Sequence, residues 1–239
     1  MNDRTATPRH PNTLHALSTA WALRQARQHL DTAVQVEARA LAAEADALSA
    51  ADGLRSSQWS TGRSRGGHGD PVGSAALARF APSVRPGRLA ELAASTTSTL
   101  TWLADTLRAV AGPEPLWRLI NDLPAMQPGT AANVHRWLAD HDQRIRAALG
   151  LDRAERDLDA AECPSCGIRP LCVHTAAPDP ADWVVTCGEG CRCSGVGCGC
   201  GMLVQVEGAV HVWDRGTPAI AAMLERVMLE GPRTEGVAA

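Results

Sequence analysis

Residues 163–200 read CPSCGIRPLCVHTAAPDPADWVVTCGEGCRCSGVGCGC, and this stretch holds all 8 cysteines of the 239-residue chain. Cys163 and Cys166 enclose two residues, and Gly167 follows them. Two thiolates at that spacing can grip one tetrahedral ion. Glycine after the second thiolate relieves the tight turn and frees backbone amides to point at sulfur. Twenty residues separate Cys166 from Cys187, within reach of the C-x2-C, 15–20, C-x2-C plan of a zinc ribbon. The second half departs from that plan, running C-x3-C-x-C-x4-C-x-C through Cys187, Cys191, Cys193, Cys198 and Cys200.

The spacing predicts a first zinc site from Cys163, Cys166 and Cys187, closed by Cys191 or Cys193. The remaining thiols can build a second site, with Cys172 or His211 in reserve, so one or two Zn2+ ions are expected. Four protein ligands leave no position for water, which makes such an ion structural. Disulfides are the alternative in an oxidising compartment. The opening Met1-Asn2-Asp3-Arg4 lacks the charged-then-apolar order of an export signal, so a reduced, cytoplasmic setting is expected. The spacings match neither common ferredoxin run. The two C-x-C pairs would suit a metal store, but the long helical body argues against that role.

Strands are expected at Leu171 to Thr175 and at Asp182 to Thr186, joined through Pro178, Asp179 and Pro180. A further hairpin is expected from Leu203 to Val206 and Ala209 to Trp213, around Gly208. Trp183 and Trp213 are expected to pack on this sheet. From Ala161 to Trp213 there are two Arg and five acidic residues, and thiolate-bound zinc adds more negative charge. This segment would repel phosphate.

Upstream the pattern is helical. A helix is expected from about Asn12 to Ala51, with Leu14, Leu17, Trp21, Leu30, Val34, Leu41 and Leu48 on one stripe. A second runs from about Pro86 to Val110, interrupted at Thr96. A short helix spans Leu116 to Leu123, and another Thr130 to Leu149, with Thr130 as N-cap and Gly150 as its end. A charged helical turn follows from Asp152 to Ala160. The fold class is therefore mainly α: an antiparallel helical bundle, a small β zinc ribbon and a short C-terminal helix from Gly216 to Glu230. The domain plan is a flexible arm (1–11), the bundle (12–160), the ribbon (161–215), and the helix with a disordered tail (216–239).

All 23 basic residues are Arg, and the net charge is −3, so the whole chain carries no basic signature. Residues 52–75 are rich in Gly, Ser and Arg and read as a linker. Between Arg55 and Arg88 six Arg face one acid, Asp70. Arg55, Arg63 and Arg65 are the candidate nucleic-acid contacts. The rival expectation is a protein partner docked on the acidic ribbon. His135 and His141 lie on different helix faces, and His141 is expected to be a satisfied core residue flanked by solvated Asp140 and Asp142. No phosphate loop, nucleophile elbow or H-E-x-x-H motif occurs, and no enzyme, small-molecule substrate or membrane span is expected.

The order of features resembles that of small zinc-ribbon proteins of actinobacterial phages and prophages. The matching pieces are Gly69-Asp70-Pro71, Leu100-Thr101-Trp102-Leu103-Ala104 and Cys163-Pro164-Ser165-Cys166-Gly167. Trp183-Val184-Val185-Thr186-Cys187, Cys198-Gly199-Cys200-Gly201 and His211-Val212-Trp213 complete them. The resemblance implies a zinc-ribbon protein in the cytoplasm of a bacterial host, with a DNA-related role but no assigned activity; the residues themselves are read as a non-enzymatic zinc protein that binds nucleic acid or regulates.

Overall fold

A computed structural model of the chain describes residues 9–59, 86–158 and 161–230. In order, the elements are helices α1 (Pro11–Trp59), α2 (Arg88–Thr106), α3 (Pro115–Asp122) and α4 (Pro128–Leu149). Strands β1 (Glu155–Leu158), β2 (Leu171–His174), β3 (Val184–Cys187) and β4 (Val212–Trp213) follow, and helix α5 (Pro218–Glu230) comes last. The chain divides into two compact units: Met1–Gln28 with Thr96–Ala239, and His29–Ser95. The helical core and the Cys-rich segment share the first unit.

In that unit α1 is buried nearly all round, not on one stripe: Leu14, Ala16, Leu17, Ala20, Trp21, Ala22 and Leu23 are all covered. The buried hydroxyls of Ser18 and Thr19 donate to the His15 carbonyl within the helix at 2.9 and 3.0 Å. Helix α4 buries Ala131, Val134, Leu138, His141 and Ile145, a 3–4 spacing that marks one face. Its N-cap is Gln127 with Pro128 in the first turn, not Thr130. Proline supplies a preset φ where its missing N–H costs nothing. Gly150 ends the helix in the left-handed region at φ 65°.

Contacts set the helix directions. Thr96 meets His141 and Trp102 meets Trp137 edge-on, so α2 runs antiparallel to α4. Asn12 meets Pro128 and Thr19 meets His135, so α1 runs parallel to α4. An up-down-up set requires that mixture. Thr96 does not break α2; its Oγ1 pairs with His141 Nδ1 at 3.3 Å inside the core. Thr96→Val would leave that imidazole nitrogen unpaired, with an expected loss of about 1–3 kcal/mol in chemical denaturation. Helix α2 ends before Val110, because Arg108 turns left-handed at φ 53°.

In the second unit, α1 continues past the expected end at Ala51. Residues 52–59, read from sequence as the start of a linker, are helical, and Arg55 lies within α1. One Gly53 costs only about 1 kcal/mol in a helix, and the flanking Ala, Leu and Arg offset it. The stripe fades here, and Leu48 is 61% exposed. Glu37 accepts the Leu89 backbone N–H at 3.1 Å, satisfying a donor in the first turn of α2. A Cβ on Gly87 would meet that carboxylate, so a larger residue there would push the Glu37 side chain aside.

The four strands form one antiparallel sheet in the order β1-β2-β3-β4. Strand β1 replaces the helical turn expected near Asp152. Its alternating exposure, with Glu155 and Asp157 outward, is the period of a half-covered edge strand. Charged outward residues also protect such an edge from pairing with other chains. The expected hairpin of Leu203–Val206 with Ala209–Trp213 does not form. Val212 and Trp213 pair with β3 instead. Leu203 is 52% exposed, so its segment has no apolar face to seat on a sheet.

Leu171, Val173, Val185 and Trp213 make a core with Ile220, Leu224 and Val227 of α5. Cys163, Cys187, Cys193, Cys198 and Cys200 belong to the same core. Leu14 of α1 packs on Val184 and Val212, and Arg9 pairs with Asp182 at 2.9 Å. The chain just ahead of α1 is thus tied to the Cys-rich segment, whereas residues 1–11 read as a loose arm. The tail from Gly231 lies outside the described residues, as do Arg63 and Arg65 of the candidate nucleic-acid contacts.

Candidate metal centre

Two groups of four ligand atoms converge, and within each the atoms lie within 4.8 Å of one another. The first is Cys163, Cys166, Cys187 and Cys191; the second is Cys193, Cys198, Cys200 and His211. Cys191 closes the first group and His211 completes the second. Tetrahedral zinc with bonds of about 2.3 Å to sulfur and about 2.0 Å to nitrogen sets S–S edges near ~3.8 Å and S–N edges near ~3.5 Å. Cys166 and Cys187 are 3.8 Å apart, and Cys198 Sγ is 3.5 Å from His211 Nε2. The donor set and these two edges fit a tetrahedral metal ion such as zinc.

Local backbone chemistry explains how the thiolates are held. The amides of Ser165, Ile168, Gly195, Cys200 and Met202 are directed at Cys163, Cys166, Cys193, Cys198 and Cys200 respectively. Each of these amides lies two residues after its sulfur, so the knuckle turn supplies an N–H···S bond; at Cys163 the Cys166 amide, and at Cys198 the Ser194 backbone, contribute more. The Ile168 amide holds the Cys166 thiol below its ordinary range. The Ser194 backbone, followed by its side chain, brings Cys198 down to about 5. Burial opposes this at Cys163 and Cys191, and pushes Cys200 up to about 11. A bound cation reverses that penalty, since a coordinating thiol is deprotonated outright.

The two C-x-C pairs behave differently for a conformational reason. Arg192 is extended and bridges to Val210, so Cys191 and Cys193 are spread apart and serve different groups. Extended chain advances about 6–7 Å over two residues, too far for one ion. Cys198 and Cys200 flank a turn and serve the same group.

Cys172 joins neither group. It sits opposite Asp157 in the sheet and donates to its Oδ1 at 3.3 Å. Burial, helped by Asp157, pushes this thiol up to about 12. Cys172→Ala is expected to leave the bound-metal count unchanged in native mass spectrometry. A loss of one ion would put Cys172 among the ligands.

The structure also assembles a histidine cluster that no spacing in the sequence announces. His15 of α1 stacks on His135 of α4 at 3.9 Å, and His174 of β2 approaches edge-on at 6.3 Å. His135 pairs with Thr19, and His174 with Thr186, each at 2.9 Å. The rings line a cavity of about 460 Å3 with Asp142 and Arg146. Asp142, read from sequence as solvated, is half-buried and paired with Arg146 at 2.8 Å. His141 lies apart from this cluster, buried against Thr96 as expected.

Among the described residues no helix is long and apolar enough to cross a membrane. Comparison with family models, curated proteins and solved structures finds no match.

Proposed function

We propose that this chain is a non-catalytic zinc protein in which two structural ions hold residues 163–211 as a zinc-ribbon docking tab. The observation that carries the reading is the pair of four-ligand groups at tetrahedral spacing. With four protein ligands each, neither ion would keep a position for substrate or activated water. The tab would carry net negative charge from its acids and thiolates. Ile168, Val196 and Leu203 stand exposed around it at 48%, 99% and 52%. Apolar residues set in an acidic rim suit a protein partner better than phosphate.

The second reading is nucleic-acid binding through the Arg-rich stretch containing Arg55, Arg63 and Arg65, where six Arg face one acid. This would agree with the DNA-related role implied by the phage-protein resemblance. Elemental analysis with native mass spectrometry tests the zinc: two ions per chain are expected, and none would end this reading. Fluorescence anisotropy with labelled single- and double-stranded DNA across a salt series separates the two partner classes. Tight binding that salt weakens steeply, lost in Arg63→Ala with Arg65→Ala, supports the nucleic-acid reading. No binding at low salt leaves the protein-docking tab.

A further inference from the structure

The two centres share one imidazole. His211 is 0% exposed and lies between the groups, with each ring nitrogen facing a different sulfur. Nε2 is 3.5 Å from Cys198 Sγ, the edge length of two ligands on one ion. Nδ1 is 2.9 Å from Cys191 Sγ, which is well inside that edge and is a hydrogen-bond distance. Cys191 belongs to the other group, 3.5 Å from Cys163 Sγ. The backbone enforces the arrangement, because the His211 N–H donates to the Cys191 carbonyl at 3.3 Å.

We propose that His211 couples the two metal centres, ligating the second ion through Nε2 while Nδ1–H donates to the Cys191 thiolate of the first. The inference rests on the zinc reading above and goes beyond it to the order of loading. A metal on Nε2 fixes the tautomer that carries hydrogen on Nδ1. It also withdraws electron density from the ring, so the N–H becomes a stronger donor. The donated bond relieves part of the negative charge on a four-thiolate centre. The first ion is then held more tightly once the second is in place, and by linkage the reverse is equally true. Losing a hydrogen-bonding partner of a metal ligand typically costs 10–100-fold in affinity, which sets the scale of the coupling.

The test uses the full chain, zinc as the probe, and chelator competition read by native mass spectrometry. Two equal independent sites at one equivalent leave about half of the chains with a single ion, whereas tenfold coupling lowers that share to about a quarter. The wild type is expected near the lower share. His211→Cys keeps four ligands at the second centre but removes the N–H donor; it is expected to bind two ions, with the single-ion species rising to half or more. The double variant Cys193→Ser, Cys198→Ser empties the second centre without touching the first. Its remaining ion is expected to be lost to chelator at least tenfold more readily than either ion of the wild type. Equal single-ion shares in wild type and His211→Cys would overturn the coupling, as would an ion in the double variant held as tightly as in the wild type. If His211→Cys fails to fold, the double variant decides, read beside its Trp213 near-ultraviolet signal, which must match the wild type so that loss of coupling is told apart from unfolding of the segment. A wild type that binds no zinc would instead defeat the metal reading, a visibly different result.

Discussion

Removing the ions with a strong chelator is expected to unfold residues 163–213 as a unit. The sheet there has strands of only four, four and two residues in β2, β3 and β4. Pieces that short do not stand alone in water. Five cysteines make up much of the core that seats Trp213 and α5. Without metal, buried thiols would replace the bonds that close the connecting loops. Structural zinc contributes about 10–16 kcal/mol on binding to small modules, comparable to the 5–15 kcal/mol net stability of a whole domain. Trp213 is 1% exposed and donates from Nε1 to the Cys200 carbonyl at 2.7 Å, so its environment reports on the centre directly. Near-ultraviolet circular dichroism should lose the contribution of Trp213 on chelation and regain it with zinc, while the Trp21–Trp117 and Trp102–Trp137 pairs of the helical part keep theirs. The helical far-ultraviolet signal should fall much less, since α2, α3 and α4 bury their own apolar faces. An unchanged near-ultraviolet spectrum with the metal gone would show that the segment folds without ions.

Acid is expected to destabilise the chain from about pH 6.5 downward. Burial is the main cause at three histidines: it lowers His15 to about 3 and His174 to about 4, and lowers His135 as well. Neighbouring rings add to the effect, since His135 and His174 each disfavour a charge on His15. An unfolded chain takes up protons below its ordinary histidine value of about 6.5, while the folded cluster does not. The stability is therefore fully present above about pH 6.5 and is lost as pH falls toward the folded values. At pH 5 each of His15 and His174 would account for on the order of 2 kcal/mol. Chemical denaturation at several values between pH 7.5 and 5 measures the fall. Thiolates that hold a metal would also take up protons in acid, so His15→Leu is the discriminating variant. It leaves every cysteine in place and should flatten the slope; an identical slope would place the acid sensitivity elsewhere.

Much of this protein was legible in the chain because its signals are local. The C-x2-C-G knuckle predicts both its ligands and its turn, since two residues and a glycine decide where the amides point. The 3–4 spacing of Val134, Leu138, His141 and Ile145 reads directly as a buried helix face. Gly150 marks a helix end because few other residues adopt a left-handed turn without strain. Local propensity misled at residues 152–160, where a charged stretch pairs as an edge strand only because β2 is there to receive it. It misled again at Leu203–Val206, an apolar stretch that found no sheet. The choice of Cys191 over Cys193, of His211 over Cys172, and the meeting of His15, His135 and His174 depend on strand register and helix packing. Those contacts join residues as far apart in sequence as His15 and His174, and spacing carries no information at that range. What the sequence by itself determined was a cluster of thiols at metal-ligand spacing; the number of sites, the grouping of the sulfurs and the imidazole as eighth ligand were decided only when the sheet closed, because they depend on contacts between residues far apart in the chain.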